Sequence, residues 1–350
     1  MLTDLQLRNF RCFEALRLEF APGFNFFVGA NGEGKTSILE AACVLLRLQS
    51  QRSSSLAPLV RLNQKSFALS GHSNEHHLEF RYSTLRRKVA FDHVEQRKAM
   101  DYLRTGHVVS FATSDIELTR GGSEARRRYL DFLGAQINSR YRPTLRAYER
   151  ALRARNMLLK SPQPRLREIA AYDPPLIANG TQLLEMRSVL VERLAPLATH
   201  AHREISGKNE LLNLKFAPGS TGDFAEDLAR SRDEEIRLRQ TVVGPHRDEL
   251  QIFVQGISAQ QYASEGQQRT VALALKMAQG RVLMEETGAS PLLLIDDIFG
   301  ELDLARRNAL LAYLPPDAQK LVTATSLQWA EPMAEGRLFH LSDKNVLMKP

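Results

Sequence analysis

Eight residues, Gly29-Ala30-Asn31-Gly32-Glu33-Gly34-Lys35-Thr36, constrain this chain more than any others, because they match the pattern G-x-x-x-x-G-K-[ST]. Before them, Asn25-Phe26-Phe27-Val28 is the short apolar run of a buried strand. After them, Ile38, Leu39, Ala42, Leu45 and Leu46 recur at helical spacing. Strand, glycine-rich turn and helix in that order form a phosphate cradle. The glycines let the backbone wrap an anion, and the amide N–H groups at the helix start point at it. Lys35 reaches the β- and γ-phosphates of a nucleotide, and Thr36 offers its hydroxyl to Mg2+. All eight residues are therefore candidate nucleotide ligands, and Lys35 is also a candidate catalytic cation.

A metal held by Thr36 needs a carboxylate from the end of a second strand. Leu292-Leu293-Leu294-Ile295-Asp296-Asp297 has that form, a Walker B pattern: Asp296 is the candidate Mg2+ ligand and Asp297 the carboxylate that polarises the attacking water. Two aspartates ending a strand also suit a helix cap, and the phosphate loop favours the metal reading. Roughly 260 residues separate the two motifs, whereas one βαβ unit needs about 30. An insertion must lie between them.

Composition sets the class. The chain has 350 residues, 43% hydrophobic and 25% charged, which suits a globular protein of two domains. Apolar runs such as Pro291 to Ile295 fall far short of the ~20 residues of a membrane helix. Met1-Leu2-Thr3-Asp4 does not open a secretory signal. Cys12 and Cys43 make neither a disulfide framework nor a metal spacing, and both read as packing residues. A cytoplasmic protein without membrane contact is expected. The net charge of +7 suits a polyanionic partner and equally suits plain solubility.

Alternation in Leu5 to Phe10 and Leu16 to Phe20 predicts an opening pair of strands, with further strands at Phe67 to Ser70, Leu78 to Tyr82 and Lys88 to Phe91. From about Ser123 to Arg239 the spacing turns helical, with Leu145, Tyr148 and Leu152 on one helix and Leu176, Leu183, Leu190, Leu194 and Leu197 on another. Pro162, Pro164, Pro174 and Pro175 separate these helices, and Pro196 is expected to kink or end the second. Strand signals return at Leu250 to Val254, Leu292 to Ile295 and Leu321 to Thr323, as if one sheet were completed from the C-terminal third. The expected class is α/β: a head from residues 1–134 and 236–350, with mixed sheets, and an inserted, mainly α-helical lid domain at 135–235.

Ser264-Glu265-Gly266-Gln267-Gln268-Arg269 opens a helix before the acidic pair, and Gly300-Glu301-Leu302-Asp303 follows that pair as a short turn. The phosphate loop, S-x-G-Q-Q, the paired aspartates and E-L-D, in that order, resemble the ABC-type ATPase head. That resemblance implies that Ser264, Gly266 and Gln267 close in trans on the γ-phosphate held by a second protomer, with Asp303 at the seam. Transport ATPases end the acidic pair in Glu and carry a switch histidine after the next strand. Here Asp297 and Ala324-Thr325-Ser326 stand instead.

Further segments resemble the bacterial RecF family: Leu7-Arg8-Asn9-Phe10-Arg11, Leu39-Glu40-Ala41, Arg126 to Asp131, Gly244-Pro245-His246-Arg247-Asp248 and Gly266-Gln267-Gln268-Arg269. The similarity runs over nearly the whole chain and departs at Phe111 to Asp115, whose residues stay unassigned. SMC-type relatives place long coiled coils between the two halves, and this insert has no sustained heptads. The resemblance implies slow Mg2+-dependent ATP hydrolysis stimulated by DNA. It also implies ATP-dependent homodimerisation on double-stranded DNA near gap junctions, and RecR and RecO as partners in loading RecA during recombinational repair and the SOS response. Two other readings stay open: a transporter-type ATPase subunit, and an ATP-gated binding module with negligible hydrolysis.

The remaining features divide between functional and plain readings. Arg142, Arg146, Arg150 and Arg153 share a helix face that could meet phosphate or simply water; Arg140, Arg155 and Lys160 lie in the same run. His246 reads as a structural hydrogen-bonding residue. His72, His76 and His77 lack metal spacing and read as surface histidines. Trp329 reads as a local apolar anchor.

Overall fold

Alternating apolar residues lay the first sheet. In β1 (Asp4–Phe10) Leu5, Leu7 and Phe10 are buried, and β1 pairs antiparallel with β2 (Phe13–Glu19). The apolar run of β3 (Phe24–Val28) leaves this sheet and leads through the glycine loop into α1 (Lys35–Arg47), which is buried on nearly all sides, as expected for a helix without a polar face. β4 (Ser66–Ser73) and β5 (His76–Ser83) extend the first sheet, followed by β6 (Arg87–Phe91) and β7 (Val94–Glu95), giving the order β2-β1-β4-β5-β6-β7. α2 (Met100–Arg104) then leads to β8 (Val108–Ala112). This computed structural model describes residues 1–53, 55–97, 99–327, 336–342 and 345–349; Trp329 lies outside them.

The chain then turns helical: α3 (Glu117–Arg120), α4 (Ser123–Ile137), α5 (Tyr141–Leu159), α6 (Leu166–Ala170) and α7 (Asp173–Ser206). Pro174 and Pro175 occupy the first turn of α7, where a missing N–H costs nothing. Pro196, expected to kink or end the helix, sits inside it, and the helix runs on for ten more residues to Ser206. Leu190, Leu194, Ala198 and Ala201 on either side of it are all buried, so packing on both flanks holds the helix through one lost hydrogen bond.

β9 (Leu212–Ala217), α8 (Phe224–Arg230), α9 (Arg232–Leu238), β10 (Glu249–Val254), β11 (Ile257–Ser258), α10 (Ala259–Tyr262) and α11 (Glu265–Thr287) follow. Tyr141, Tyr148, Leu176, Leu183, Phe224 and Leu228 form a core here. The strand at Leu250 to Val254 does not complete the head sheet: β10 pairs antiparallel with β9 and β11 in a sheet of three. Its partner β9 is a strand that helical periodicity hid.

β12 (Leu292–Asp296), α12 (Ile298–Glu301), α13 (Leu304–Tyr313), β13 (Lys320–Ala324), β14 (Arg337–Ser342) and β15 (Asn345–Lys349) end the chain. They complete a second six-stranded sheet, β15-β14-β3-β13-β12-β8, in which β14, β3, β13, β12 and β8 run parallel. Phe27 and Phe339 stack at 4.8 Å, with Phe20 edge-on to both. Two compact units result. One is Met1–Asp115, Glu204–Gly207 and Lys276–Pro350; the other is Ile116–Arg203 and Lys208–Leu275. The expected boundaries at 134/135 and 235/236 both fall inside the second unit.

Candidate active site

Parallel pairing decides where the motifs meet. In register, Asp296 lies beside Thr323, and Thr323 beside Phe27 at the end of β3, so the carboxyl ends of β3, β13 and β12 share one edge. That edge of a parallel sheet is where such folds bind ligands. Gly34 caps α1 with φ +97°, and Gly32 has φ +91°. A Cβ on Gly34 would stand 2.6 Å from Phe13 and 2.7 Å from the Cys12 sulfur, so only glycine fits. Gly29 packs as closely: its Cβ would stand 2.6 Å from the Leu341 carbonyl oxygen.

Lys35 is buried and donates to the carbonyls of Gly29 at 2.7 Å and Ala30 at 3.4 Å. Its ammonium lies 3.9 Å from a carboxylate oxygen of Asp297. Thr36 donates its hydroxyl to Asp296 Oδ1 at 2.7 Å, and Thr323 donates to the same oxygen at 2.8 Å. Thr323 also accepts from the backbone N–H of Asp297 at 2.9 Å, fixing that residue at φ +54°. Burial raises the Asp297 carboxyl above its ordinary value, opposed by Lys35 and reinforced by Asp296.

A cavity of about 640 Å3 opens over this cluster, lined by Asn31, Gly32, Gly34, Lys35, Thr36 and Asp297, and by residues from outside the motifs including Arg11, Cys12 and Leu62. Its volume suits a cofactor-sized ligand. Thr36 and Asp296 offer a hydroxyl and a carboxylate, the hard oxygen donors that Mg2+ prefers.

The structure thus brings the glycine loop, Lys35, Thr36, Asp296 and Asp297 together. Asp303, Ser264, Gly266 and Gln267 are not among the residues that line this cavity. Asp303 accepts from the Arg306 N–H as the cap of α13, a bond that lowers its carboxyl. Ser264 and Gln267 form a reciprocal capping box at the start of α11. The Gln267 N–H donates to the Ser264 hydroxyl at 3.3 Å, the Ser264 N–H donates to Gln267 Oε1 at 3.0 Å, and Gly266 lies in the same first turn. The Gln267 amide also donates to Glu210 at 3.3 Å.

Several side chains were not legible from the sequence. Thr323 carried no signal beyond ending a strand. Cys12 was expected in the core and instead lines the cavity, because it sits in the turn between β1 and β2. Arg11 holds Glu40 through two bonds of 2.8 and 3.0 Å at the cavity wall. Cys43 is buried as expected, its thiol pushed up to about 12. Asp115, in the unassigned segment, accepts from the Ala112 N–H and pairs with Lys276 at 2.9 Å. Arg155, placed by its spacing in the basic run, is fully buried. It binds Asp173, Thr241 and Glu235 at 3.0, 2.8 and 2.6 Å.

A glycine loop after a buried strand, with acids ending a parallel strand of the same sheet one strand further along, is the arrangement of an ATPase head of the ABC type. The family described as RecF/RecN/SMC N terminal domain matches residues 1–343. The chain belongs to the RecF family. It is 34% identical to the DNA replication and repair protein RecF of Lactococcus lactis subsp. cremoris (strain MG1363), over 99% of this chain and 98% of that protein. Identity to the protein of the same name from Symbiobacterium thermophilum is 36%, over the same shares. Among solved structures, the recombination mediator protein RecF-ATPrS in the RecFOR pathway superposes with a TM-score of 0.90 at 28% identity, covering 100% of this chain and 98% of that one. An Smc head domain from Pyrococcus furiosus, at 15% identity and a TM-score of 0.55, shares the fold. No helix among the described residues is long and apolar enough to cross a membrane.

Proposed function

We propose that this protein is an ATP-hydrolysing, DNA-binding clamp of recombinational repair. The observation that carries the reading is the convergence of Lys35, Thr36 and Asp297 on one cavity behind a glycine loop, with Asp296 bonded to Thr36. Solved relatives described as RecF-ATP and RecF-ATPrS support ATP as the nucleotide. Lys35 exchanges the loop carbonyls and Asp297 for the β- and γ-phosphates. The N–H groups at the start of α1 hold the phosphate chain. Thr36 and Asp296 would hold Mg2+, which would neutralise phosphate charge. Asp297, ionised, takes a proton from the water that attacks the γ-phosphate.

Ser264, Gly266 and Gln267 contact the γ-phosphate of a second protomer, and Asp303 lies at the seam between them. ATP binding therefore favours the homodimer, double-stranded DNA near a gap favours it further, and hydrolysis resets it. Each ligand acts through its greater affinity for the closed state. The RecFOR pathway named for the solved relatives supports RecR and RecO as partners. The test is ATP hydrolysis and DNA binding by purified protein, with and without Mg2+ and gapped duplex. Slow hydrolysis that rises with DNA, and loss of ATP-dependent DNA binding in Lys35→Met, are expected. DNA binding that ignores both ATP and this substitution overturns the reading.

A further inference from the structure

The first sheet carries a cluster of imidazoles far along the chain from every phosphate motif. His72 of β4 lies opposite His77 of β5 in register, and His77 and Glu79, two residues apart, share one face of β5. Between β6 and β7, Asp92 and His93 both take positive φ, +47° and +65°, in a two-residue turn. Asp92 pins that turn to β5: its N–H donates to the His77 carbonyl and its carboxylate accepts the His77 N–H, both at 2.9 Å. The His93 ring consequently stacks on His77 at 4.3 Å, and the His72 ring lies 4.8 Å from His77 on the other side.

Three potential ligand atoms converge there. His77 Nδ1 is 3.7 Å and His93 Nδ1 is 3.6 Å from the same oxygen, Glu79 Oε1, and all three atoms lie within 4.8 Å of one another. Metal–ligand bonds of about 2.0–2.1 Å in tetrahedral geometry place neighbouring donors roughly 3.3 Å apart, so side-chain rotation that draws the donors together by up to about 1.5 Å closes the set. His77 Nδ1 is buried and has no hydrogen-bond partner. Arg81 holds the other Glu79 oxygen at 3.2 Å, leaving Oε1 toward the imidazoles. The Asp4 carboxylate holds His72 Nδ1 at 2.7 Å beside the cluster.

We propose that His77, His93 and Glu79 form a site for a borderline-soft divalent transition metal, Zn2+. Two imidazoles and a carboxylate with an open fourth position select Zn2+ over Mg2+, which prefers oxygen donors throughout. The bound ion clips the β6–β7 turn to β5. His77 showed no metal spacing with His72 and His76 in the sequence, and the turn between β6 and β7, not spacing, brings His93 to it.

The test is titration of the full chain, stripped with a chelator and free of nucleotide, with Zn2+ in competition with a chromophoric indicator, and a thermal melt alongside. One saturable Zn2+ per chain and a melting temperature raised by Zn2+ but not by Mg2+ are expected. His77→Ala and Glu79→Gln each weaken binding at least about tenfold. His93 is an exposed turn residue, and asparagine tolerates its positive φ, so His93→Asn folds and also weakens binding at least about tenfold. Binding that survives His93→Asn and His77→Ala unchanged, or absence of saturable binding, overturns the proposal.

Discussion

Asp296 and Asp297 are neighbours in the chain with opposite surroundings. Asp296 accepts two threonine hydroxyls on one oxygen, whereas Asp297 is lifted by burial and faces Lys35 at 3.9 Å. On the proposed roles, Asp297→Asn keeps nucleotide binding and slows hydrolysis about 100-fold or more, read by single-turnover assay. Since the Asp297 pKa is raised and the base must be ionised, the single-turnover rate falls as pH drops through a value above the ordinary carboxylate pKa of 3.8. A rate flat through that window would remove Asp297 as the base. Gly34→Ala forces a Cβ into Phe13 and Cys12 at φ +97°, a strain of about 1–3 kcal/mol, so nucleotide affinity measured by calorimetry should fall sharply while the fold persists. The loop and the aspartates were legible because each is contiguous and its residue types admit few uses. Thr323, Arg11 and Cys12 reach the site from separate strands or their turns, and no local pattern announces a residue whose role comes from strand register.

At the scale of elements, buried polar chemistry ties the helices to the Gly244-to-Asp248 segment. His246 accepts the Tyr148 hydroxyl on Nδ1 at 2.7 Å and donates from Nε2 to the Thr241 carbonyl at 3.0 Å, which requires the neutral ring. Burial depresses its pKa from 6.5 to about 4. The unfolded chain takes up this proton near pH 6.5 and the folded one only near 4. The stability this group contributes is therefore whole above pH 6.5 and is lost as pH falls toward 4, up to about 3 kcal/mol. Urea denaturation at pH 7.5 and 5 should show that loss in the native protein and a smaller one in His246→Gln. Arg155→Ala strands the buried Glu235 carboxylate and should cost about 3–5 kcal/mol by the same method. Helical periodicity showed where α5 and α7 run. It could not show that Arg155 turns inward, since the partners Asp173 and Glu235 lie on other elements, nor that β9 would give β10 a separate sheet.

For the whole molecule, β3 pairs with β13, almost three hundred residues later, and the whole second unit lies in the chain between the phosphate loop and the acidic pair. Motif separation alone points to an insertion, while the limits of the second unit carry no sequence signal, because helices α7 and α11 each run through a boundary between the units without a break in pattern. The account rests on ATP closing two such chains on each other, and sedimentation velocity of purified protein with and without ATP and Mg2+, with gapped duplex added and Lys35→Met in parallel, tests that most directly. The account predicts a dimer with ATP and Mg2+, strengthened by the duplex and missing in Lys35→Met. A chain that sediments as a monomer under every condition, or a dimer indifferent to ATP and to Lys35, would contradict it.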